Sequence, residues 1–289
     1  MSRSLVVLFA AAAVVVGIAA LRPTRDAAAD SRPLPADLAL VPPNAVGFAH
    51  IRAAELWKRE DLKPYREIIE RAGSKAFAQL DEHFEPKPST TDRVTVVLLP
   101  KGKDARERRG LFEPFEPTLI LHFHKPYDRE RVLKAYSEKN KTKTVGGKEL
   151  HLADRTAVAI AFADPQTLIL GDEAGVSAIL SAEKKDGPLT PALRAAAEKP
   201  IAVGLNVQAL PIPAEALAQI PDEYKPLTEL SLVSGTIDLA KEPVVDLKLT
   251  FPNADSAVTG EKALRKLATL GRIFLDMQRK QLQAELAKA

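Results

Sequence analysis

The run Leu5–Leu21, LVVLFAAAAVVVGIAAL, carries no charge and divides the chain into an entry segment and a longer remainder. As a helix these 17 residues would span about 26 Å, somewhat under the ~20 apolar residues that usually cross a bilayer. Arg3 and the amino terminus supply positive charge on one side, as a signal peptide or a cytoplasm-oriented anchor requires. Ala27-Ala28-Ala29 offers small residues for cleavage before Asp30, and Gly17-Ile18-Ala19 offers a nearer site. Residues 1–29 are therefore expected to be a signal peptide or a membrane anchor. With no cysteine in the chain, a lipid-modified anchor, disulfides, thiolate metal sites and thiol nucleophiles are excluded.

The chain as a whole has the composition of a folded protein. Of 289 residues, 46% are hydrophobic and 27% charged, enough for one large or two ordinary domains. The net charge of +3 falls to +1 once Arg3, Arg22, Arg25 and Asp26 are removed, so nucleic acid is not expected as a partner. Aromatic residues, at 5%, suggest no sugar-stacking groove.

Pro23, Pro33, Pro35, Pro42 and Pro43 stiffen residues 22–43, of which 30–43 is expected as a Pro-rich tether, with the folded part beginning near Leu38. Alternation predicts strands at Val46–Arg52, Arg93–Leu99 and Thr118–His124. A helix is expected from Ala53 to about Ala72, with Pro64 as a point where it can break, and another over Lys75–Phe84. Asp128 is expected to cap a helix running to about Lys139. Gly146-Gly147 signals a turn or bulge within Val145–Leu152. Thr156–Ala163 and Thr167–Leu170 read as a hairpin, and Asp172 as the cap of Glu173–Ala182. A helix over Thr190–Glu198 precedes a second round of similar elements. In that round come a strand at Ala202-Val203-Gly204-Leu205, a helical segment from Ala214 to about Tyr224, and a hairpin of Ser231–Leu239 with Val244–Phe251. Asp255 or Ser256 is then expected to cap a long C-terminal helix.

The order strand–helix–strand–strand–helix thus occurs twice, in 44–199 and 200–289, and points to a degenerate internal duplication. Ala45-Val46-Gly47-Phe48 is matched by Ala202-Val203-Gly204-Leu205. Thr95, His122, Asp246 and Lys248 fall on one side of their strands. The expected class is α+β, with largely antiparallel sheets covered on one face by helices.

Candidate chemistry is sparse. His122 and His124, two apart on a strand, are a candidate start for a zinc site, with Glu149 and His151 as further ligands. No H-E-x-x-H pattern accompanies them, and histidines on a solvated strand face account for the pair as well. His50 is expected as a packing residue and His83 as a solvated helix end. Ser181-Ala182-Glu183-Lys184 has the S-x-x-K spacing, but Ser181 closes a helix where that chemistry needs the serine to open one. Lys101, Lys103, Arg106, Arg108 and Arg109 form a basic loop, and Lys139, Lys141 and Lys143 a second. Solvated loops explain both, and lipid headgroups or anionic polymers are the alternative partners. No catalytic, cofactor-binding or metal-binding residue is assigned, and no cofactor is expected.

The stretches LPADLALVPPNAVGFAHIRAAELW (34–57) and ADPQTLILGDEAGVSAIL (163–180) resemble uncharacterised exported proteins of planctomycete-like bacteria that carry duplicated α/β units. The resemblance implies a bacterial envelope location, periplasmic or otherwise extracytoplasmic, secreted or anchored in the inner membrane. It implies no functional residue. The expected function is a binding or structural module, not an enzyme, with an envelope protein, lipid or polymer as partner. A histidine-based metal-dependent hydrolase and a periplasmic carrier of hydrophobic molecules are the alternatives.

Overall fold

A computed structural model describes residues 33–63, 67, 85–100, 115–136, 141–153, 158–183, 185–210, 212, 214–239 and 244–286. The expected apolar helix at residues 1–29, the helix at 75–84, the basic loop at 101–110, His83, Lys139 and Lys184 lie outside them.

Among the described residues ten strands make one sheet: β1 (Gly47–Ile51), β2 (Thr91–Pro100), β3 (Phe115–Phe123), β4 (Lys141–Val145), β5 (Lys148–Leu152), β6 (Ala159–Asp164), β7 (Thr167–Gly171), β8 (Ile201–Asn206), β9 (Leu232–Asp238) and β10 (Val244–Thr250). Their spatial order is β10-β9-β8-β1-β2-β3-β7-β6-β5-β4. Every neighbouring pair is antiparallel. The described helices are α1 (Ala53–Lys58), α2 (Arg129–Tyr136), α3 (Glu173–Ser181), α4 (Thr190–Glu198), α5 (Ala214–Ala218) and α6 (Ala254–Leu286). The α+β class is the one the strand alternation predicts. Among the described residues no helix is long and apolar enough to cross a membrane.

The stretches 44–199 and 200–289 share this one sheet. β1 and β8 pair with Gly47 opposite Leu205 and Phe48 opposite Gly204. Each large side chain therefore stands across from a glycine. A Cβ on Gly204 would sit 2.5 Å from the Phe48 ring and 2.9 Å from Ala192 Cβ, closer than side-chain atoms tolerate.

Registers assign the side chains to two faces. On the first, Phe48, Val97, Ile120, Leu150, Ala161 and Ile169 meet Val176, Ile179 and Leu180 of α3 and Ala192, Leu193 and Ala196 of α4. These helical positions recur at three- and four-residue spacing, which gives each helix one apolar stripe. Asp172 starts α3 by accepting from Gly175 N at 2.7 Å. On the opposite face, α2 brings Val132 against Phe123, Ile160, Leu168 and Leu170. Asp128 caps α2, accepting from Glu130 N at 3.0 Å and Arg131 N at 3.2 Å. Helices thus pack on both faces of the sheet.

Four boundaries differ from expectation. The fold takes in residues 34–43 and so begins a few residues before the expected start near Leu38. Leu38 is 1% exposed in the core, Val41 is buried and Leu34 packs beside them. The prolines set an extended path, and the apolar residues between them decide where it lies. Helix α1 ends at Lys58, before the expected break at Pro64. Arg59 is extended and its guanidinium holds Asp61 at 2.7 Å, and a 3-10 turn follows at Glu60–Leu62. Lys63 and Glu67 are helical again, and residues 64–66 and 68–72 lie outside the described residues. The polar run KTKTV forms β4, because Gly146 (φ 57°) and Gly147 (φ 75°) fold it back onto β5. The cap of α6 is Asn253, not Asp255 or Ser256: its Oδ1 accepts from Ser256 N at 2.8 Å.

Replacing Leu38 by Ala removes a fully buried side chain and should lower the unfolding free energy by about 2–5 kcal/mol in urea titration. A free tether at this position would leave stability unchanged.

Candidate functional site

Four of the buried polar side chains among the described residues, His50, Thr95, Thr118 and Thr167, lie on the α3/α4 face where β1, β2, β3 and β7 run side by side. His50 on β1 stands opposite Thr95 on β2. His122 on β3 stands between Arg93 on β2 and Thr167 on β7. Each histidine is held by a threonine of the next strand. His50 Nδ1 is 2.8 Å from Thr95 Oγ1, and His122 Nδ1 is 3.0 Å from Thr167 Oγ1. His50 is 1% exposed, while Thr95 and Thr167 are fully buried.

Asp37 closes the group from the N-terminal segment. It is 1% exposed, and its Oδ1 lies 3.2 Å from Arg93 Nη1. Neither carboxylate oxygen has a hydrogen bond among the described residues, and neither has Arg93 Nε. Arg93 Nε also lies 3.4 Å from Asp92, whose other oxygen is 3.6 Å from His124 Nδ1. A buried ion pair of this kind contributes little net stability, yet losing one partner strands the other charge. Its mechanical effect is to fasten residues 33–43 across the sheet, directly before β1.

Burial pushes the His50 imidazole down to about 4, against the pull of Asp37 and with the help of Arg93 and Arg52. Burial also lowers His122, and Arg93 adds to the effect. His50 is thus neutral near pH 7. Neutral imidazoles hydrogen-bonded to threonines, beside an Asp–Arg pair, make a rigid polar strut inside an apolar core.

The expected histidine constellation is not assembled. His122 points to the α3/α4 face, whereas the β5–β6–β7 registers put His151 on the opposite face. Strands β7 and β6 separate β3 from β5, a lateral distance of about 14 Å at the usual spacing. His151 instead contacts Thr142 Oγ1 at 3.2 Å, Glu149 at 3.7 Å and the edge of Phe162. Burial lowers its pKa as well. No group of three or more metal-ligating side chains occurs among the described residues. Glu149 and His151 are not brought to His122 and His124, because the β6–β7 hairpin is inserted between β3 and β5.

His50 is the packing residue that alternation predicts. Ser181 ends α3, and its hydroxyl donates to Ser177 O at 2.6 Å. An open depression of about 490 Å³ beside it is lined by Pro43, Asn44, Ala178, Ala182, Glu183 and Lys185. A carrier would need space between sheet and helices, and that layer is filled by Val97, Ile120, Ile169, Val176 and Ile179, each at most 3% exposed. Sequence reasoning missed Asp37 and Arg93. The signal available was an acidic residue one position before the buried Leu38, in a stretch dominated by prolines.

No protein-family model matches the chain, and no curated protein matches it. Among solved structures, three crystal forms of TP0453 are similar. Form III is 14% identical over 78% of this chain and 82% of that one, with a TM-score of 0.38. Form I is 12% identical over 81% and 86%, with a TM-score of 0.37. Form IV is 11% identical over 73% and 79%, with a TM-score of 0.37.

The sign of the His50 effect is fixed by its neutral, buried state. Between its ordinary value near 6.5 and about 4 the unfolded chain binds the proton and the folded chain does not. Stability is therefore fully present above about pH 6.5 and is lost as pH falls toward 4, by about 3 kcal/mol from this residue. Urea titrations of the native chain and of His50→Gln at about pH 7 and about pH 4.5 should show a shallower acid loss in the variant.

Proposed function

We propose that this chain is an extracytoplasmic module of a bacterial envelope, exported or held at the membrane by Leu5–Leu21, with a binding or structural role. The observation that carries this reading is the uncharged run Leu5–Leu21 behind Arg3, followed about a dozen residues later by the segment that Asp37 and Arg93 fasten to the sheet. A load on the N-terminal segment would enter the fold at its centre, beside β1, as suits a domain held at its N-terminus. The resemblance of residues 34–57 and 163–180 to exported proteins of planctomycete-like bacteria favours the same location.

We also infer descent from a duplicated strand–helix–strand–strand–helix unit. The support for it is the β1–β8 register. Gly47 faces Leu205 and Gly204 faces Phe48, so residues matched in the two sequence copies exchange places about a local two-fold axis. β2 and β9 then flank this pair on either side, and β3 and β10 follow outward.

The test is the mature N-terminus and the partition of the protein made in a bacterium. A chain starting near Asp30 in the soluble envelope fraction, or an intact chain in the membrane with residues 30–289 open to external protease, is the expected outcome. An intact chain in the cytosol, inaccessible from outside, overturns the reading.

A further inference from the structure

Among the described residues β4 closes one side of the ten-stranded sheet and β10 the other. An edge strand offers unpaired backbone groups to any strand that fits, and these two differ in what they admit. β4 reads Lys141-Thr142-Lys143-Thr144-Val145. Paired antiparallel with a copy of itself about Thr142, it sets Lys141 against Lys143; about Lys143, it sets Lys143 against its own copy. In both registers like charges meet, which destabilises a cross-strand pair. Centred on Thr144, Lys143 faces Val145, and in no register does β4, whose only charges are lysines, meet an opposite charge on its own copy.

β10 reads Val244-Val245-Asp246-Leu247-Lys248-Leu249-Thr250. Its register with β9 puts Asp246 and Lys248 on one face, across from Thr236 and Ser234, and both are exposed. Val245, Leu247 and Leu249 lie half-buried on the other face. An antiparallel self-pairing keeps the two faces aligned only when its two-fold axis passes through a residue, because side chains alternate. Centred on Asp246 or on Lys248, it opposes identical charges. Centred on Leu247, it opposes Asp246 to Lys248 and Lys248 to Asp246 on one face. On the other face the same register opposes Leu247 to Leu247 and Val245 to Leu249.

We propose that β10 is a self-association edge, and that two copies of this chain pair through it, antiparallel about Leu247, to continue the sheet across a two-fold axis. The partner is a second copy because the charge pattern complements itself in that register, while β4 at the opposite edge carries only lysines and can form no opposite-charge pair with its own copy. Symmetric closure uses the same patch on both chains and stops at two. Such pairing is independent of where the chain is located.

Charge reversal separates this edge from any other contact, including one made by the N-terminal segment. In Asp246→Lys the register opposes two lysines twice, and in Lys248→Asp two aspartates twice. Each variant alone should dimerise roughly tenfold more weakly than the native chain. Mixed together, they restore both opposite-charge pairs and should form a heterodimer of native strength, which also shows that each variant is folded. The measurement is the protein mass of the full-length chain by sedimentation in detergent matched for density. A native chain that stays monomeric overturns the proposal, whether the edge is empty or serves another protein's strand. So does a dimer that either single reversal leaves unweakened, or a mixture no tighter than its parts.

Discussion

The pairing of β1 with β8 is the constraint on which the rest of the structure depends. It joins residues 44–199 to 200–250 through five opposed positions. At two of them Phe48 and Leu205 each face a glycine, which lets a large side chain lie across the neighbouring strand without displacing it. Phe48 then reaches the α3/α4 layer, where Ala192 and Ala196 are small enough to let α4 approach the sheet. Adding a single methyl at Gly204 would push against the ring and the helix together. The close approach at this one pair thus fixes how near the helix can lie to the strands beneath it.

The sheet changes character along its width. From β1 across to β7 the face beneath α3 and α4 is largely apolar, apart from the His50–Thr95 and His122–Thr167 pairs, Arg93 and the buried Thr118. Over β9 and β10 the same face carries Ser234, Thr236, Asp246 and Lys248, and the apolar residues Val233, Ile237, Val245, Leu247 and Leu249 sit on the other side. Polar side chains named by alternation alone as sharing one side do share it. Yet Thr95 is fully buried while Asp246 and Lys248 are exposed. Alternation reports which side chains point the same way; burial depends on what lies above each strand.

This distinction explains what could be read in advance. Strands with clean alternation and helices with a strong cap, such as Asp172 and Asp128, were legible because their signals are local. β4 was not, since KTKTV is polar at nearly every position and becomes a strand only when Gly146-Gly147 returns it to β5. The histidines were legible as residues but not as a group. Whether His151 meets His122 depends on strand order, and the insertion of β7 and β6 between them is a property of the whole sheet. Asp37 was hidden for a related reason: prolines on both sides suggest a spacer, and only the burial of Leu38 and Val41 turns that spacer into a layer of the core.

The topology also sets an order in time. β1 is the earliest of these strands in the chain and lies in the interior of the sheet, but one of its two neighbours is β8, which is made long afterwards. As the chain grows from its N-terminus, the β1 edge destined for β8 stays open while the strands from β2 to β7 are synthesised. Closing so distant a pair is slow, and an open edge invites wrong partners meanwhile. Such a chain gains from being kept unstructured until its last third is complete. A route that threads it across a membrane before it folds would do so.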